Sequence, residues 1–319
     1  MANTDLVDWI GPQPKDPSPI LYFGGYAYPP ALERWLCEFV GWKFRCATFA
    51  HVGKGKADEC LEINREFGVR LFLDSGAFTL QKQKATKLEI MAFAQRYVQY
   101  LKVCRFRRLP WDFYVTLDYV RDAKVAQVMT DVLLELGVRP TPVYHGDASL
   151  DYFRRYVDQG YKLVGIAKLK GMSPDHQRRY YSQVFDLAVK HGVSLHGFAV
   201  TGETMFEYPW YSVDSTTWFA SCKYGEILIH DPRRNKFPRV HITEGAAKSD
   251  SKSWHTMPES SKKAIIADAA SMGLDFDKMK GDGTTGQVHR AAYNAKLFLR
   301  LIESRGGRTT GVSKWATLL

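Results

Sequence analysis

Short apolar runs alternate with amphipathic stretches along the chain as far as Asp214. Eight of these runs predict strands, at residues 20–24, 43–49, 69–74, 113–118, 141–145, 162–166, 194–199 and 211–214. Few of them alternate strictly between polar and apolar, which is the pattern of strands covered on both faces. The stretches between carry helical spacing. Thr86 and Glu89 make a capping box that opens a helix running to about Cys104. Asp122 caps a helix whose Val125, Val128, Met129, Val132, Leu133 and Leu136 fall on one stripe. Ser149 caps the next, with Tyr152, Phe153, Tyr156 and Val157 facing inward, and Ser173-Pro174 opens another to about Lys190. Gly68, Gly137, Gly160 and Gly192 each follow a helical stretch and precede a strand run, as C-terminal stops do.

Eight strand–helix alternations predict a (β/α)8 barrel of the TIM type, with an open doubly wound α/β sheet as the competing fold. After Asp214 the rhythm changes. Residues 225–230 and 237–243 predict a hairpin around the tip Asp231-Pro232-Arg233-Arg234-Asn235-Lys236. A polar loop is expected over 244–260, then helices over 261–272 and 285–303 and a Gly- and Arg-rich tail from Ser304. The expected division is a catalytic barrel over 1–218 and a hairpin-plus-helix extension over 219–319 packed on it.

Charge changes the picture more than composition does. With 45% apolar residues among 319, a sizeable core is possible. The net charge of +10 favours a polyanionic partner, nucleic acid first. The cations also cluster, at Arg105, Arg107 and Arg108, at Arg178 and Arg179, and at Arg233, Arg234 and Lys236. The five cysteines are odd in number and lack C-x-x-C spacing, as in a reduced intracellular protein. No basic region followed by an apolar stretch marks a signal peptide, and no run approaches the ~20 apolar residues of a membrane span. A cytoplasmic protein with no membrane partner is expected.

The candidate chemistry lies at the strand ends. Asp74, Asp118, His145 and Asp214 each follow an apolar run, and in a barrel all four would meet at one mouth. A single Asp followed by Ser or Thr is read first as a local turn cap, and it is the recurrence at several strand ends that points to a site. Two carboxylates facing one another permit a double displacement at an anomeric carbon, one as nucleophile and one moving protons. A third can accept from the N–H edge of a purine. Gly76, Gly146, Gly165 and Gly197 would let a flat ligand approach the backbone, or serve tight turns. Phe78, Tyr119, Phe198 and Trp218 suit base stacking and core filling alike.

Leu73-Asp74-Ser75-Gly76-Ala77-Phe78 resembles the Asp-Ser-Gly-Gly-Phe signature of the tRNA-guanine transglycosylases. Val143-Tyr144-His145-Gly146 is similar to that family's Val-Gln-Gly segment, with His for Gln. Val164-Gly165-Ile166-Ala167 resembles Gly-Gly-Leu-Ala, and His196-Gly197-Phe198-Ala199-Val200-Thr201 resembles Met-Gly-Val-Gly-Thr. Ser212-Val213-Asp214-Ser215 falls where the family has Phe-Asp-Cys. The order and rough spacing agree over residues 70–218. Asp-Ser-Gly-Ala-Phe and Val-Asp-Ser-Thr look closer to the phage-encoded relatives that modify DNA.

The resemblance implies a barrel that replaces guanine in nucleic acid by a 7-deazaguanine such as 7-cyano-7-deazaguanine. It makes Asp214 the nucleophile and Asp74 the acid/base residue. Asp118, Ser75, Gly76, His145, Gly146, Gly165, Phe78 and Phe198 would hold the base; on charge rather than resemblance, Arg233, Arg234 and Lys236 at the hairpin tip would hold the nucleic acid. A phage-encoded protein of this kind would work in the host cytoplasm. The chemistry needs no cofactor. The tRNA enzymes also hold a structural zinc on Cys-x-Cys-x-x-Cys and a His. Here only Cys222 lies beyond Asp214, with His230, His241 and His255 as irregularly spaced companions, so zinc is not expected and DNA is favoured over tRNA. The competing functions are tRNA-guanine exchange, a retaining nucleoside hydrolase or glycosidase, a metal-dependent hydrolase using His145, His196 and Asp214, and a non-catalytic nucleic-acid-binding barrel.

Overall fold

A computed structural model describes residues 19–25, 29–52, 55–82, 84–106, 111–118, 122–146, 148–167, 171–201, 204–233, 236–243, 245 and 253–306. Strands β1 (Ile20–Gly24), β2 (Phe44–Thr48), β3 (Arg70–Asp74), β4 (Trp111–Tyr114), β5 (Val143–His145), β6 (Leu163–Ala167), β7 (Ser194–Phe198) and β8 (Ser212–Ser215) form one sheet in the order 4-3-2-1-8-7-6-5. Every neighbouring pair is parallel. Helices connect the strands: α1 (Pro30–Val40), α2 (Lys56–Glu66), α3 (Ala77–Lys82), α4 (Lys87–Phe106), α5 (Ala123–Glu135), α6 (Leu150–Asp158), α7 (Pro174–His191) and α8 (Thr204–Glu207).

The sheet curls around its own interior. Tyr22, Cys46, Phe72, Phe113, Val115, Val143, Leu163 and Tyr211 make one buried cluster, although their strands are far apart in the sheet order. Tyr22 on β1 donates to Asp112 on β4 at 2.5 Å, across the interior. The edges also touch. Just beyond β4, Val115 bridges in parallel to Thr141, and Thr116 N–H donates to Thr141 O at 2.9 Å. On the outer side a buried Arg45–Glu33 pair, 2.9 Å apart, joins β2 to α1. The same guanidinium donates to Phe23 O and Gly25 O, which pins the end of β1.

All eight expected strands form, most with ends shifted by a residue or two. β4 departs most. It starts at Trp111 and leaves the ladder after Val115, so Leu117 and Asp118 stand beyond the strand. The capping box forms, with Thr86 N–H donating to Glu89 and Glu89 N–H to Thr86. Asp122, Ser149 and Ser173 cap α5, α6 and α7. The stripe predicted for α5 is rotated. Ala126, Met129, Thr130 and Leu133 are buried, while Val128 is 50% and Leu136 38% exposed. A polar contact sets that face, since Thr130 Oγ1 meets Thr116 Oγ1 at 2.9 Å inside the protein.

Beyond β8 come α9 (Thr217–Ala220), the antiparallel hairpin β9 (Glu226–Leu228) and β10 (Arg239–His241), then α10 (Glu259–Ser271), α11 (Phe276–Lys280) and α12 (Gly283–Gly306). Of the expected 244–260 loop, 245 and 253–260 are described, and the latter stretch holds a short turn of helix, Trp254–Thr256, before α10 begins at Glu259. Two side chains of α12 fasten the hairpin region. Arg290 donates to Cys222 O and Met279 O, and Asn294 accepts from Leu228 N–H and donates to Trp218 O. Among the described residues no helix is long and apolar enough to cross a membrane. All five cysteines are buried and none forms a disulfide.

Candidate active site

Asp74 ends β3 level with Thr48 of β2, after the buried run Leu71, Phe72 and Leu73. The chain then turns at once into α3. Ser75 is buried, and Ala77 N–H donates to its hydroxyl at 3.4 Å. Gly76 holds φ at +77°, and a Cβ there would lie 2.6 Å from Ala50 Cβ, so only glycine fits. Burial pushes the Asp74 carboxyl up to about 7, the nearby charges of Asp214 and Asp118 push the same way, and the amides of Gly76 and Ser75 oppose them. A carboxyl that titrates near neutrality can both give and take a proton.

Asp214 lies on β8 level with Tyr22 of β1. Its Oδ1 accepts from Ala199 N–H at 3.0 Å and lies 3.6 Å from Nε2 of His196. Ala199 sits just after β7 with φ +53°, an uncommon conformation for a residue with a Cβ. Asp118, beyond β4, meets Nε2 of the buried His145 on β5 at 2.6 Å. The three carboxylates therefore share one end of the sheet, the end where parallel α/β folds gather their reactive groups.

The structure places the remaining expected site residues less uniformly. Gly146 follows His145 and faces Met172 and Tyr180, about as close as side chains come. The space above Gly165 holds the Phe198 ring, which a Cβ would meet at 2.4 Å. That glycine makes room for an aromatic wall of the site. Trp218 is fully buried and donates to Gly24 O, so it fills the outer core. Tyr119 and the side chain of Phe78 lie outside the described residues. So do Arg107, Arg108, Arg234 and the side chain of Arg105. Arg178, Arg179, Arg233 and Lys236 are exposed.

The zinc candidates do not come together. The Cys222 thiol donates to Trp218 O at 3.0 Å and accepts from the Asn294 amide at 3.1 Å, and burial pushes it up to about 12. His230 packs on Phe237, and His241 faces Glu226 at 3.9 Å. His255 lies in the Trp254–Thr256 turn. Among the described residues no group of three or more His, Cys, Asp or Glu is placed to hold a metal ion.

Two residues stand beside these carboxylates in a way that sequence alone does not assign. Cys46 on β2 is buried, and after desolvation the charges of Asp214 and Asp74 do most to raise its thiol well above the usual range. A cysteine inside an apolar strand carries no sequence signal of that position. His196 on β7 opens the segment that resembles Met-Gly-Val-Gly-Thr and serves the metal-hydrolase alternative, but neither gives it a part beside Asp214. Its level with Ser212 puts it beneath Asp214. No model of a known protein family matches the chain, and no curated protein matches it either.

Proposed function

We propose that the chain is a base-exchange enzyme of the guanine transglycosylase type, built on a closed (β/α)8 barrel and acting on nucleic acid, with DNA the favoured substrate. The observation that carries this reading is the meeting of Asp74 and Asp214 at one sheet end, with Asp74 titrating at about 7 in the field of Asp214. Such a pair suits two-step displacement at a sugar carbon. An Asp214 oxygen bonds to C1′ as the bond to guanine breaks, and Asp74 gives its proton to the departing purine. The incoming 7-deazaguanine then returns a proton to Asp74 as its nitrogen bonds to C1′ and Asp214 leaves. Asp118, braced by His145, accepts from the purine N–H edge. Support for closure of the barrel comes from the Val115–Thr141 bridge and from the side chains that meet across the interior. Guanine in a duplex must leave the stack to reach such a site, at about a few kcal/mol.

Exchange of labelled guanine into DNA or tRNA by the purified chain tests the reading, with and without a chelator. Incorporation that Asp214→Asn abolishes supports it. Release of guanine without uptake of label favours a hydrolase, activity restored only by a divalent ion favours the metal-dependent alternative, and binding without turnover favours a nucleic-acid-binding barrel.

A further inference from the structure

His196 is sealed from solvent beneath Asp214. The rings of Phe72, Phe113 and Phe198 wall it, with centroids 5.0, 5.1 and 4.6 Å from its own. Two polar groups reach the imidazole. Nδ1 lies 2.8 Å from Ser212 Oγ, and Nε2 lies 3.6 Å from Asp214 Oδ1. The arrangement follows from register. His196 is level with Ser212 across the β7–β8 pair, and Ser212 and Asp214, two apart on one strand, share a face. The chain of contacts has the order of a Ser–His–Asp triad, but Ser212 is fully buried and cannot meet a substrate. Asp214, whose side chain is 14% exposed, is the member that can.

The two tautomers of the ring are not equivalent here. A proton on Nδ1 would leave the Nε2 lone pair facing a carboxylate inside an apolar wall. A proton on Nε2 lets the Ser212 hydroxyl donate to Nδ1 and aims the N–H at Asp214 Oδ1. Ala199 N–H already donates to that same oxygen, from a backbone held at φ +53°. A strained residue is retained where surrounding structure and function hold it. The 3.6 Å gap is longer than a hydrogen bond, as such contacts often are before substrate is in place.

We propose that His196, locked by Ser212 in the Nε2–H form, is a positioning residue for Asp214. With Ala199 it occupies Oδ1 and leaves Oδ2 as the attacking oxygen. The inference rests on the reading of Asp214 as nucleophile. Histidine side-chain ¹⁵N–¹H correlation on the whole chain tests the tautomer directly, with the His196 signal assigned by its loss in His196→Gln. Nε2 protonated and Nδ1 bare is the expected result, with that preference lost in Ser212→Ala. A ring with its single proton on Nδ1 overturns the proposal whatever the reaction. In the exchange assay, His196→Phe keeps the apolar packing and should lower kcat about 10²-fold with little change in KM, as small misplacements of a reacting group do. His196→Gln, which retains an N–H, should recover part of the loss. Unchanged kcat in His196→Phe, with Asp214→Asn inactive, overturns the role of His196 and leaves the reading of Asp214 standing. A wild-type chain without exchange overturns the functional reading, and the tautomer still decides His196.

Discussion

Asp74 holds its proton more tightly in the fold than in the unfolded chain, because burial and two neighbouring carboxylates disfavour its charge. A carboxyl raised in this way stabilises the fold fully below the unfolded value near 4, and that stability is lost as pH rises through about 7. Asp74→Asn, neutral at every pH, should match the wild type in urea unfolding near pH 4 and exceed it by up to about 4 kcal/mol at pH 8, at about 1.4 kcal/mol per pH unit. A gap that does not widen with pH would remove Asp74 from its buried, charge-crowded setting. For catalysis, Asp74→Ala should lose about 10²–10⁴-fold in exchange, the usual share of a general acid/base. The three carboxylates were legible because each follows an apolar run. The place of Cys46 and the partners of His196 were not, since inside a strand an apolar neighbourhood hides both direction and contacts.

The turn between β3 and α3 is the element on which the site depends. Gly76→Ala meets both a left-handed φ and the Ala50 methyl at 2.6 Å. It should cost about 1–3 kcal/mol in stability, from strain and overpacking together, and should also shift the amides that hold Asp74. Gly137→Ala, at φ +82° with nothing within 4 Å, is the control. It should cost only the backbone share, about 1 kcal/mol, and leave exchange intact. Equal urea midpoints for the two variants would mean that the Ala50 contact relaxes freely. The eight strands and four helix starts were legible from apolar runs and capping residues. The α5 face was not, because a buried Thr130–Thr116 contact outweighs the valine stripe, and α11 is too short to show a period.

At the scale of the whole molecule, the proposed polyanionic partner rests on charge, which does not choose between polymers. The +10 excess and the exposed Arg178, Arg179, Arg233 and Lys236 would serve tRNA or DNA. The curl of the sheet was legible only as a count of strands, and the Val115–Thr141 bridge between its edges was not, since it depends on how far β4 and β5 run. If phosphate contacts dominate, duplex binding should fall with salt at a slope of about −0.9 per phosphate engaged. Charge reversal at the exposed Arg233 and Lys236 together should flatten that slope while exchange on a short oligonucleotide persists, because neither residue is assigned a part in the chemistry. An unchanged slope would move the contact surface elsewhere. The choice of polymer is settled by offering tRNA, duplex DNA and single-stranded DNA of matched guanine content with labelled guanine. DNA is expected to take up label and tRNA not. That expectation rests on the likeness of the Asp-Ser-Gly-Ala-Phe and Val-Asp-Ser-Thr segments to phage-encoded DNA-guanine transglycosylases, and on the lack of the tRNA enzymes' cysteine cluster after Asp214 in this sequence. Efficient exchange into tRNA with none into either DNA would refute that choice and leave the roles of Asp74 and Asp214 intact.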